Sequence, residues 1–169
     1  MEKKYAIGID LGGTNLRIAL VSRYGAIVQK IKEPTPAGLL EAILEKTGKF
    51  CCEDVAGIGF GVAGLISKEE GKVFLSPNLH TVENLEIVRA LEEKFRIPVL
   101  IENDANVAAF GEFWAGAGKG LGNFVLFTLG AGGSPLHALR HAARGSHRDI
   151  GLHAALPQRA AAVAVGGVD

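Results

Sequence analysis

The stretch Tyr5-Ala6-Ile7-Gly8-Ile9-Asp10-Leu11-Gly12-Gly13-Thr14-Asn15-Leu16-Arg17-Ile18-Ala19-Leu20-Val21 decides the fold. Residues 5–10 form a short apolar run, and residues 16–21 alternate apolar with other side chains at the period of a half-buried strand. Only Leu11 to Asn15 lie between them, too few for a crossover, so the two runs pair as an antiparallel hairpin. Residues 26–31 alternate again after the Tyr24-Gly25 turn, giving a third antiparallel strand that Pro34 and Pro36 terminate.

Beyond this opening the periodicity changes. Leu39, Leu40, Ile43 and Leu44 recur at helical spacing up to Gly48. Residues 55–60 read as a buried strand followed by a glycine-rich loop, and Val73-Phe74-Leu75 as a short strand before the irregular Ser76-Pro77-Asn78. Leu85, Val88, Leu91 and Phe95 predict an amphipathic helix, and residues 98–101 a strand. A helix is expected from Asp104 to about Ala115, with Phe110, Phe113 and Trp114 packing it into the core, and a last strand over Asn123–Leu129. Three strands followed by alternating helix and strand define an α/β class. Its mixed sheet starts with three antiparallel strands and is flanked by helices.

The chain has 169 residues, 48% of them hydrophobic and 21% charged, which is the composition of a globular domain. Lys plus Arg equals 18 and Asp plus Glu equals 18, so no broad basic field favours nucleic acid or an anionic membrane. No apolar run approaches the roughly 20 residues of a membrane span, and the start lacks a signal-peptide core, so a cytoplasmic protein is expected. The adjacent Cys51 and Cys52 have neither disulfide-framework nor metal-ligand spacing and read as reduced bystanders.

The averages conceal a break. Residues 131–169 hold ten Ala, four Arg and four of the five His, with no Lys, Glu or aromatic residue. Residues 1–130 carry 14 basic and 16 acidic groups, the remainder 4 and 2. His137, His141, His147 and His153 lack accompanying Cys or Glu and fit no metal-ligand pattern.

Five segments could carry chemistry. In Asp10-Leu11-Gly12-Gly13-Thr14-Asn15, paired glycines let the backbone approach a ligand, and their N–H groups with the Thr14 hydroxyl suit phosphate oxygens. Asp10 could hold a water of a phosphate-bound Mg²⁺. A plain hairpin turn satisfies the same six residues. In Ile101-Glu102-Asn103-Asp104-Ala105-Asn106 a strand gives way to a helix. A carboxylate there can accept a hydroxyl proton as the oxygen attacks phosphorus, while Asn103 fixes a neighbouring hydroxyl. Helix capping equally favours Asn and Asp at these positions. Gly59-Phe60-Gly61-Val62-Ala63-Gly64 and Ser76-Pro77-Asn78-Leu79 could line a polyol, or be ordinary turns. Thr128-Leu129-Gly130-Ala131-Gly132-Gly133 offers a second possible phosphate cradle.

In this order and spacing, the segments resemble the ROK family of sugar kinases and repressors over residues 4–130. The resemblance implies an actin-like, ribonuclease-H-like ATPase lobe closing with a second lobe on ATP and a hexose, glucose above all. It implies Asp104 as the base, with Gly64, Asn78 and Asn103 lining the sugar site. Gly12, Gly13, Thr14 and Asn15, with Gly130 and Gly132, would hold ATP phosphates, and Asp10 the Mg²⁺ through water. It also implies a homodimer in the full-length form.

There are departures from the family pattern. Ala63 stands where Pro is usual, Asn15 where Lys is common, and Ala131 where the second phosphate loop has Thr. The family's Gly-His sugar segment, its zinc-binding cysteines and its adenosine lobe are not found. Residues 131–169 are therefore expected to be an aberrant tail, read out of frame from near Leu129 or Gly130, with a genuine divergent or engineered C-terminus as the alternative. The first glycine motif begins too close to Met1 for a preceding helix-turn-helix, which favours a kinase over a DNA-binding repressor. Kinase activity is expected to be crippled in these residues alone, leaving a non-catalytic sugar- or phosphate-binding module, or a repressor fragment, as the alternative.

Overall fold

The computed structural model describes residues 3–120, 123–129, 136–140 and 163–167. One compact unit runs to Asp104 and a second begins at Ala105. The composition break near Gly130 lies within the second.

The first unit is built on the expected hairpin. Strands β1 (Tyr5–Leu11), β2 (Asn15–Ser22) and β3 (Ile27–Pro34) pair antiparallel in sequence. On the other side of β1, β4 (Val55–Val62) and then β7 (Val99–Asn103) pair parallel, giving the order β3-β2-β1-β4-β7. The period-two pattern sorts the two faces. Ile7, Ile9 and Leu11 lie in register with Ile58, Phe60 and Val62, and these in turn with Val99, Ile101 and Asn103. All but Asn103 are buried. Two helices close over this face. Helix α1 (Leu39–Gly48) contributes Leu39 and Ile43, and α2 (Ile87–Phe95) contributes Ile87 and Leu91. Burying each such aliphatic side chain stabilises the fold by about 1.5–3 kcal/mol. The opposite face carries Gly8, Gly59 and Gly61, and Leu100 there is 77% exposed.

Some boundaries differ from the sequence reading. Gly61 and Val62 belong to β4 rather than to the loop after it, because the parallel partners β1 and β7 extend the ladder to Leu11 and Asn103. A short hairpin of β5 (Leu65–Ser67) and β6 (Lys72–Leu75) follows. Only β6 was expected, since three residues carry no visible period. Leu85 precedes α2 in a turn, its N–H bonded to the Val82 carbonyl.

Helix α3 (Asp104–Ala115) follows β7 directly. Its buried residues are Ala105 and Ala109, while Phe110 and Trp114 are exposed. The expectation that these two aromatics pack into the core is corrected: one turn of small side chains at i and i+4 faces inward, and positions 110 and 114 lie on another side. In the second unit β8 (Asn123–Leu129) stands between β9 (Leu136–Arg140), antiparallel, and β10 (Val163–Gly167), parallel. Among the described residues no helix is long and apolar enough to cross a membrane.

Candidate functional site

The registers align three of the motifs. Leu11, Val62 and Asn103 are partners across β1, β4 and β7, so the strands end in a common row. With strands about 4.8 Å apart, the Gly12–Gly13 turn, the Gly64 corner and the start of α3 leave the sheet within roughly 10 Å of one another. Carboxyl ends of parallel strands are where open α/β sheets bind ligands.

The β1–β2 turn is fixed from within on one side only. Gly12 N–H donates to the Asn15 carbonyl at 2.9 Å, which withdraws it from the expected set of phosphate donors. The Thr35 hydroxyl donates to the Gly12 carbonyl at 2.7 Å, and Thr35 N–H to the Thr14 carbonyl at 2.9 Å. Gly13 and Thr14 are exposed, and among the described residues nothing accepts from their N–H groups. Asp10 faces Arg17 across the hairpin, and the Arg17 guanidinium donates to Oδ2 at 2.7 Å. The carboxylate is still half exposed.

The second side of the site is internally bonded. Gly64 has φ +144°, a backbone conformation that side chains with a Cβ avoid, and an added Cβ would run into the Leu75 carbonyl oxygen. Its carbonyl accepts from Asn103 Nδ2 at 3.2 Å. Asn103 therefore ties β7 to the Gly64 corner, a bond that sequence reading did not foresee. Buried Ser76 donates its hydroxyl to the Ala63 carbonyl at 2.7 Å. Two residues on, Asn78 is exposed and abuts the first turn: a Cβ on Gly13 would stand 2.7 Å from the Asn78 carbonyl oxygen. Asp104 is the first residue of α3, where the positive helix end favours a carboxylate. Beside it, Glu102 is ion-paired with Lys68 and accepts the Asn103 N–H at 2.9 Å.

Five of the expected residues, Gly13, Gly64, Asn78, Asn103 and Asp104, are thus connected through the row of strand ends or by direct contact. Asn15 sits at the start of β2, its carbonyl holding Gly12. Gly130 and Gly132 lie outside the described residues. Among the described residues no group of three or more His, Cys, Asp or Glu could cage a metal. Asp10, half exposed and paired with Arg17, is a single carboxylate that could contact, through water, an Mg²⁺ held mainly by phosphates.

A mixed sheet in this order, with a glycine turn between its first two strands and an acidic helix start at its parallel edge, defines an actin-like ATPase lobe. Within that class the chain belongs to the ROK family, whose family model matches residues 6–151. It is 32% identical to a glucokinase of Halalkalibacterium halodurans over 94% of this chain and 52% of that protein. It is 35% identical to a xylose repressor of Caldicellulosiruptor bescii, over 75% of this chain and 34% of that one. The structure of a ROK family glucokinase from Streptomyces griseus, in complex with glucose and AMPPNP, superposes with a TM-score of 0.72 at 31% identity. That match covers 80% of this chain and 44% of the other. The chain spans about half the length of the curated relatives it matches.

Proposed function

We propose that the whole protein transfers the terminal phosphoryl group of ATP to a hexose hydroxyl, glucose being the first candidate. The observation that carries this reading is the common row of Leu11, Val62 and Asn103, which sets a phosphate-type turn beside an Asn-Asp helix start. Asp104 would accept the proton of the attacking hydroxyl. Asn103, Asn78 and the Gly64 corner would orient the sugar, and Gly13 and Thr14 N–H groups would hold phosphate oxygens. Bound Mg²⁺ would neutralise charge on those phosphates, and Asp10 would reach it through water. The glucose and AMPPNP in the Streptomyces griseus relative support both ligands.

Phosphoryl transfer of this kind depends on positioning by two lobes. These 169 residues by themselves are therefore expected to bind glucose but to turn over little. The xylose repressor similarity favours a second reading, a sugar-binding module without catalysis. A coupled assay with ATP and glucose, beside calorimetric titration, separates them. In a two-lobed form, Asp104→Asn should cost about 10²–10⁴-fold in turnover and leave glucose binding in place. Turnover unchanged by Asp104→Asn would sink the kinase reading, and wild-type protein without glucose affinity would sink both.

A further inference from the structure

Asn78 is exposed, lies in irregular chain, and yet is the residue that meets Gly13. Something must hold it. Its own loop is a chain of turns, with Leu79 N–H bonded to Ser76 O, Val82 N–H to Leu79 O and Glu83 N–H to His80 O. Such a run of short turns has no lateral support in a ladder, so its position rests on where it is tied down. One tie is Ser76, whose hydroxyl reaches Ala63. The other comes from Glu83: its Oε1 accepts the Ser76 N–H at 2.9 Å and meets His80 Nδ1 at 2.9 Å.

Glu83 is itself pinned on both flanks. Val82 before it is completely buried, and Asn84 after it, at φ 61°, donates its N–H to the Val73 carbonyl at 3.0 Å. The side chain is only 21% exposed. A charged acceptor in that setting makes a stronger bond to a backbone N–H than a neutral one. The arrangement resembles a capping box in which an acid seven residues downstream reaches back to close a loop.

We propose that Glu83 is a positioning residue, closing the Ser76–Glu83 loop so that Asn78 is held against the Gly13 turn. This rests on the sugar-site reading of Asn78 for its functional consequence, but its structural content does not. The carboxylate carries the loop closure, and His80 orients the carboxylate. Its Oε1 is taken up by the Ser76 N–H and His80, so its influence on sugar affinity runs through Asn78.

The experiment uses the 169-residue chain, with amide hydrogen exchange and glucose calorimetry on wild type, Glu83→Ala and Glu83→Gln. Glu83→Ala should raise exchange at Ser76 and Leu79 at least tenfold, with the amides of β1 and β4 unchanged, and weaken glucose about tenfold. Glu83→Gln keeps an amide oxygen for Ser76 and should restore exchange and affinity to within threefold of wild type, whereas Glu83→Met, similar in length but without an oxygen acceptor, should exchange as Glu83→Ala does; rescue by Met as well would overturn the proposal in favour of packing. Unchanged exchange at Ser76 in Glu83→Ala overturns the proposal, as does failure of Glu83→Gln to rescue it. Absence of glucose binding in wild type would instead defeat the sugar-site reading, and the loop closure is then decided by the exchange data alone.

Discussion

The two sides of the site are built on opposite plans. The β1–β2 turn leaves Gly13 and Thr14 exposed with N–H groups that meet no acceptor among the described residues. The corner around Gly64 has its polar groups already matched: Gly64 O with Asn103, Ser76 with Ala63 and Glu83. Backbone N–H groups left toward solvent hold anionic oxygens of many shapes, because a turn can adjust slightly as they arrive. A corner closed by its own hydrogen bonds presents one fixed geometry, which suits recognition of one stereochemistry. Under the proposed function, the first plan would serve phosphates and the second a sugar.

Substitution should expose that contrast. The largest effect is expected at Gly64. Any Cβ there is strained at φ +144° and collides with backbone at Leu75, which cannot swing aside as a side chain would. Gly64→Ala should lower stability by about 4 kcal/mol, combining backbone strain with overpacking, a large part of an ordinary domain's total. Urea denaturation followed by circular dichroism measures it. A cost below about 1 kcal/mol would mean the corner is as pliable as the turn.

Gly13→Ala comes next. The colliding atoms are the backbone carbonyl oxygen and Cβ of Asn78, in a loop outside any strand ladder, so relief requires the Ser76–Glu83 loop to shift against its own ties. We expect about 1–2 kcal/mol in stability. Retreat of Asn78 should also loosen glucose binding, which ties the two halves of the site together. If Gly13→Ala instead proves as damaging to stability as Gly64→Ala, the distinction between an open and a closed half is lost.

Much of this is legible in the sequence. A short apolar run before Gly12-Gly13 and alternation after it foretold the antiparallel hairpin, since five residues between them are too few for a crossover. The Asn-Asp junction at 103–104 foretold a strand giving way to a helix. The Asp10–Arg17 pairing is not read from the sequence, because it depends on the register of the hairpin and not on its existence.

What stayed hidden depended on distance through space or on very short elements. Nothing in the sequence tells that Asn103 reaches Gly64, 39 residues earlier, or that Glu83 closes on Ser76. The Phe110 and Trp114 positions misled because size was read as burial, whereas Ala105 and Ala109 are the inward face of α3.

The smallest effect, in acid, separates the halves by charge. The Ser76 N–H, and after it His80, hold the Glu83 carboxyl below the usual glutamate range. A carboxylate whose folded value is depressed adds stability that is present above the unfolded value, and that stability is lost as pH falls through the folded one. Lys46 depresses Glu33 in the same sense, so the wild-type curve alone mixes two contributions. Comparison with Glu83→Gln isolates one of them. At neutral pH wild type should unfold at a slightly higher urea concentration than Glu83→Gln. The gap should begin to close below about pH 4.5, where unfolded glutamate takes up its proton, and vanish once the folded carboxyl is protonated too. A gap that persists unchanged into strong acid would show that charge on Glu83 contributes nothing, leaving the corner to be held by neutral hydrogen bonds and by the shape of Gly64.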